Sequence, residues 1–173
     1  MAVEPTPLSA NNQRLASLRR LTGRRKARLE AGQFVIEGPV ALAEALAAGV
    51  GIDELYVDAR TWAEAFTRAG DDDPLIALVD SAAGSGATVW SLADGVIDSV
   101  SDTVSPQGVL AVAPRRTVTI DELVVGAGPV LVLVDLADPG NAGTLVRAAE
   151  ASGAAGVVFA GSTTDAFGPK AVR

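Results

Sequence analysis

Residues 131–153 read LVLVDLADPGNAGTLVRAAEASG, and two periodicities meet inside them. Val130 to Val134 is an unbroken run of valine and leucine, the pattern of a parallel strand buried on both faces. From Ala142 onward the apolar spacing becomes that of a helix. Between the two, Asp135, Asp138, Pro139, Gly140 and Asn141 crowd the C-terminal end of the strand, the edge at which open α/β sheets bind ligands. Asn141 stands where it would cap a helix beginning near Ala142. Gly143 removes a side chain at the helix start, so an anion or nucleotide can approach the backbone amides. Arg147 falls near the same mouth. Two readings stay open here. Asp, Pro, Gly and Asn are the usual turn formers, which would leave Arg147 a surface residue; alternatively the five residues and Arg147 hold a ligand together. The order G-x-G-x-x-G is absent, so a dinucleotide fingerprint is not supported.

The rest of the chain bounds the chemistry. A length of 173 residues predicts one domain or two small ones. Half the residues are hydrophobic (49%) but only 4% are aromatic, so the core must be mostly Ala, Val and Leu. There is no cysteine and no histidine, which excludes disulfides, thiolate nucleophiles, Cys/His zinc sites and a Ser-His-Asp triad; no metal is expected. The opening MAVEPTPLSANNQR lacks the apolar stretch of a signal peptide. No window approaches the roughly 18 apolar residues of a membrane span. A soluble cytoplasmic protein is the expectation.

The net charge of −7 argues against nucleic-acid binding through the whole surface, but the average hides an asymmetry. Arg14, Arg19, Arg20, Arg24, Arg25, Lys26 and Arg28 are opposed in the first thirty residues only by Glu4 and Glu30. That distribution fits a basic helix meeting an anionic partner, or equally a solvated helix face.

Along the chain, Ser9 is placed to cap a helix carrying Leu15, Leu18 and Leu21 until Thr22-Gly23 weakens it. QFVIEGP reads as a strand and turn, VALAEALAAG as a helix, IDELYVD as a strand, TWAEAFTRAG and PLIALVDSAAG as helices around the turn DDDP, ATVWSL as a strand, and Val109–Ala113 as another. This alternation implies an α/β sandwich. PRRTVTIDELVVGAGP, with its two late glycines and proline, reads as a connection; strand, loop, helix and the strand GVVFAG follow it.

With these segments in order, the chain resembles the SpoU (TrmH) branch of the SPOUT RNA methyltransferases. DLADPGNAGTLVRAAEASGAAGVVFAG is similar to that family's first motif, an Asp-Pro-x-Asn-x-Gly loop followed by a helix with an arginine. NNQRLASLRRLTGRRKARLEAGQFVIEGPVALAEAL resembles its N-terminal substrate-binding domain, SPQGVLAV the closing strand of that domain, and DAFGPKAVR the start of the second motif.

The resemblance implies an α/β fold in two parts: a ribosomal-protein-like α/β sandwich that binds RNA over residues 1–113, a linker over 114–128, and the first part of an α/β-knot (SPOUT) methyltransferase domain over 129–173. It implies 2′-O-methylation of a ribose in rRNA or tRNA, S-adenosyl-L-methionine as cofactor, and a homodimer. Asn141 and Arg147 would then be active-site residues, with Arg24, Arg25, Lys26, Arg28, Lys170 and Arg173 as RNA contacts. Later family segments, a GNE and an SLN stretch, are not present, so the cofactor pocket is expected from residues beyond Arg173 and this length is expected to be inactive. A non-catalytic RNA-binding module and an α/β domain holding a small anion at the Asn141 helix are the competing readings.

Overall fold

The order of apolar and polar residues sorts the chain into two units, Met1–Pro114 and Arg115–Arg173; residues 3–173 are described in a computed structural model. In the first unit, strands β1 (Thr6–Leu8), β2 (Gln33–Glu37), β3 (Glu54–Asp58), β4 (Thr88–Leu92) and β5 (Val109–Pro114) form one mixed sheet in the order β1-β4-β3-β5-β2. β1, β4 and β3 run parallel, whereas β5 is antiparallel to both of its neighbours.

Strands β3 and β5 are buried on both faces, because helices cover each. On one face α1 (Gln13–Gly23) lays Leu15, Leu18 and Leu21 against Val35, Tyr56, Leu92, Leu110 and Val112. Side chains of opposite parity, such as Leu55, Val57 and Ala111, point the other way, by the alternation of a strand. That side is covered by α3 (Pro39–Ala47), α4 (Ala59–Ala69) and α5 (Pro74–Gly84), which bury Leu42, Ala65, Ile76 and Val79.

Two expectations at the start of the chain change. Asn12, not Ser9, caps α1: its Oδ1 accepts the Arg14 amide at 2.9 Å, while the Ser9 carbonyl accepts the Asn12 amide in a preceding turn at 3.0 Å. The basic run then breaks into a second helix, α2 (Arg25–Ala31), with the extended Arg24 between them and left-handed Gly32 (φ 63°) ending it. β1 has only three residues, one of them proline, and no periodicity announces it. Farther along, Asp73 caps α5 by accepting the Leu75 amide at 2.9 Å. It is fully buried and gripped by Arg68 through Nε at 2.8 Å and Nη2 at 2.6 Å.

In the second unit, β6 (Val130–Val134) and β7 (Gly156–Ala160) are parallel and joined by α7 (Pro139–Ala151), a βαβ unit. Two shorter helices, α6 (Ile120–Val124) and α8 (Pro169–Val172), complete it. The segment read as a connection is built into this unit. Thr119 and Glu122 form a reciprocal capping box on α6, Leu123 is buried, and a Cβ on Gly128 would stand 2.5 Å from the Gly153 carbonyl oxygen. Strand β6 departs from its expected burial on both faces. Leu133 is buried, but Val132 and Val134 are 52% and 63% exposed: alternate side chains point to opposite faces of the two-stranded sheet, and only the Leu133 face is covered.

Candidate functional site

The loop after β6 is set by its first aspartates. Asp138 caps α7, its Oδ1 accepting the Asn141 amide at 2.7 Å, and Pro139 occupies the first helical position. Asn141, expected as the cap, therefore lies within the first turn of the helix, as its third residue. The physical reason is Pro139: its fixed φ and missing N–H suit the helix start, which hands the capping role to the acid just before it. Asn141 is exposed, and its carboxamide is left outside the cap.

Gly143 is buried where α7 meets α8. A Cβ there would stand 2.5 Å from the Ala171 carbonyl oxygen and 3.2 Å from Nη1 of Arg147. Only glycine permits this approach, and Arg147 folds its guanidinium over the same spot. One turn earlier, a Cβ on Gly140 would lie 3.9 Å from Cε of Lys170. Arg147 and Lys170 thus reach one face of α7, near its N-terminal end, and both are exposed. Neither is engaged by a carboxylate among the described residues. Two cations on one helix face suit a phosphate, and the Arg147 fork can grip it in two directions. Arg173, the third basic residue of this segment, is also exposed but already makes a contact.

The same loop is tied to the next one. Asp135 has a left-handed backbone (φ 51°), and its Oδ1 accepts the Ser162 amide at 2.7 Å. The Thr164 amide donates to the Leu136 carbonyl at 2.7 Å. In the sequence Asp135 only brackets the strand end; its one signal was residue type, since aspartate tolerates the left-handed region better than most. The guanidinium of Arg115 also stacks over the Phe167 ring at 4.7 Å.

In the first unit the basic residues divide by use. Arg14 pairs with Glu54 and stacks on Trp90 at 4.7 Å, and Arg19 donates to the hydroxyl and carbonyl of Ser99 at 2.8 and 3.2 Å. Arg24, Arg25 and Lys26 project from the α1–α2 junction; Lys26 has only a loose 3.7 Å pairing with Glu30. Arg28, expected as an RNA contact, lies buried beneath the end of α1. It is 5% exposed and donates from Nη1 to the carbonyls of Leu21 at 2.5 Å and Thr22 at 3.0 Å. The cause is the end of α1, whose last carbonyls lack helical partners and attract a cation.

Among the described residues, a cavity of about 370 Å³ and another of about 570 Å³ are lined by first-unit residues. The donors around α7 (guanidinium, ammonium and carboxamide) match a phosphate and a ribose hydroxyl. They do not make an apolar slot for an adenine ring. Among the described residues no group of three or more acidic ligands gathers for a metal, and no helix is long and apolar enough to cross a membrane.

Comparison with known proteins bears on both units. Residues 12–111 match the family described as the MRM3-like substrate binding domain. The 23S rRNA (guanosine(2553)-2′-O)-methyltransferase RlmP of Bacillus subtilis is 29% identical over 95% of this chain and 58% of its own length. An AdoMet-bound rRNA methyltransferase from Sinorhizobium meliloti superposes with a TM-score of 0.75 at 26% identity, over 97% of this chain and 59% of that one. The SpoU methyltransferase AviRb from Streptomyces viridochromogenes gives 0.65 at 26% identity, over 94% and 56%. The chain spans a little over half the length of the relatives it matches. The motif-level resemblance and these matches agree, and the chain belongs to the SpoU (TrmH) family of RNA methyltransferases, with an MRM3-like substrate binding domain as its first unit.

Proposed function

We propose that the protein carrying this chain methylates a ribose 2′-hydroxyl of ribosomal RNA with S-adenosylmethionine as methyl donor. The observation that carries the reading is the convergence of Arg147 and Lys170 on the glycine face of α7, at the carboxyl end of β6. The matched relatives are enzymes across both units, which disfavours a non-catalytic binding module.

In this reading Arg147 and Lys170 hold the phosphate next to the target ribose, and Asn141 contacts the nucleotide from the first turn of α7. Guanidinium stays protonated in proteins, so Arg147 acts by placement and charge and does not accept the hydroxyl proton. Placement alone supplies a large part of a barrier when the reacting atoms are held in line. The first unit binds RNA through Arg24, Arg25 and Lys26, and a homodimeric, knotted catalytic domain belongs to the same proposal, following the family resemblance.

The test is transfer of a labelled methyl group by the full-length protein to ribosomal RNA, with the modified nucleotide mapped. Label on a ribose 2′-oxygen of rRNA supports the reading, and label on a base contradicts it. Replacing Arg24, Arg25 and Lys26 together by alanine should flatten the log-log salt dependence of RNA binding by about 2, since each phosphate contact contributes roughly 0.7 to 0.9. An unchanged slope would return these residues to a solvated helix face.

A further inference from the structure

Asp135 is the one non-glycine residue with a positive φ among the described residues, and it sits where β6 ends. L-residues avoid that conformation, and where they hold it the surroundings must enforce it. The enforcement is visible. The Asp135 amide donates to the Ala160 carbonyl at 3.0 Å, extending the β6–β7 ladder by one bond. Its Oδ1 then accepts the Ser162 amide, and the Leu136 carbonyl accepts Thr164. Gly161, between the strand end and Ser162, is left-handed at φ 74°, and a Cβ there would stand 2.3 Å from the same Oδ1. The turn after β7 is therefore stitched onto the turn after β6 by bonds from consecutive residues.

What this clasp controls lies at the other end of the stitched segment. The loop runs through Asp165, which accepts the amides of Phe167 on its side chain and Gly168 on its carbonyl, each at 3.0 Å, and enters α8. There Ala171 abuts Gly143 beside Arg147, and Lys170 reaches Gly140. The start of the segment is fixed by Asp135 and its end supplies half of the cation pair.

We propose that Asp135 is a positioning residue for methyl transfer: its left-handed backbone and its bond to Ser162 set loop 161–168, and through it the placement of Lys170 and Ala171 against Arg147. The inference rests on the functional reading above. It requires an acceptor oxygen on a residue that tolerates the left-handed region, not a negative charge. Asparagine satisfies both demands, glycine only the backbone, and alanine neither.

The experiment uses the full-length protein with Asp135→Asn, Asp135→Gly and Asp135→Ala, reading single-turnover methyl transfer at saturating rRNA, RNA affinity, and hydrogen exchange at the Ser162 amide. Asp135→Asn should stay within about threefold of wild type, while the Gly and Ala variants fall about tenfold or more with RNA affinity unchanged, because misplacement of reacting groups acts on the rate. The Ser162 amide should be protected in wild type and Asp135→Asn and should exchange faster in Asp135→Gly. Wild-type rates in Asp135→Gly, or Asp135→Asn falling as far as Asp135→Ala, would overturn the proposal. A wild-type protein that methylates no rRNA contradicts the functional reading instead; the clasp is then judged on exchange alone, and an unprotected wild-type Ser162 overturns it.

Discussion

The two units of this chain spend their polar residues differently. In the first, a five-stranded sheet is covered on both faces, and polar groups near the core are absorbed into structure: Asn12, Asp58 and Asp73 cap helices, Arg68 holds Asp73, and Arg28 closes the end of α1. In the second, a two-stranded sheet leaves Val132 and Val134 open, while Asn141, Arg147 and Lys170 stand exposed around a helix end. The contrast teaches how to weigh a charged residue in a sequence. A cation beside an unfinished helix terminus is consumed by it, whereas a cation on a glycine-bearing helix face stays available.

The largest effect that would break this contrast concerns apolar burial. Leu18→Ala in the first unit should cost about 2–5 kcal/mol, because Leu18 is fully enclosed between α1 and the sheet. Val134→Thr on the open face of β6 should stay within about 0.5 kcal/mol. Chemical denaturation of each unit checks this, and a costly Val134→Thr would show that its face is covered in solution.

Next in size is Arg28→Ala. Two carbonyls lose a charged donor, which should destabilise the first unit by about 1–3 kcal/mol while leaving the salt slope of RNA binding unchanged. A flattened slope with unchanged stability would return Arg28 to the RNA-binding set.

The smallest effect is a pH dependence. Burial pushes the Asp73 carboxyl up, but the Leu75 amide and the Arg68 guanidinium outweigh it and hold the group below the ordinary carboxylate value. A depressed carboxyl contributes stability above its unfolded value and loses it as the pH falls through its folded one. The first unit should accordingly weaken on acidification below about pH 4. Asp73→Asn should remove part of that slope, and the contribution is reduced by the solvent exposure of Arg68. An identical acid profile for Asp73→Asn would contradict the assignment.

Much of the fold was legible because its signals are local. Leu15, Leu18 and Leu21 repeat at helical spacing, Gly38-Pro39 announces α3, and the VLVLV run with its Asp-Pro-Gly turn announces the βαβ unit. Less legible were features decided by long-range partners. β1 exists because Thr6–Leu8 finds β4 more than eighty residues away, and Arg28 is buried because a helix end lies above it. At the candidate site, Arg147 was legible from the loop and its helix. The close approach of Lys170 and the left-handed turn at Asp135 depend on α8 and on the loop after β7, which no spacing within the first motif encodes.

The central claim is that the exposed cations of α7 and α8 place a ribose for reaction. It is tested most directly by Arg147→Ala in the full-length protein, read by single-turnover transfer to rRNA alongside cofactor affinity. Loss of a charge-assisted fork together with misplacement of the ribose should lower the rate by about two orders of magnitude, on the order of 3 kcal/mol, with cofactor affinity nearly unchanged. Arg147→Lys should recover little, because it keeps the charge without the planar fork. A wild-type rate in Arg147→Ala would contradict the account and leave the arginine a surface residue of its helix.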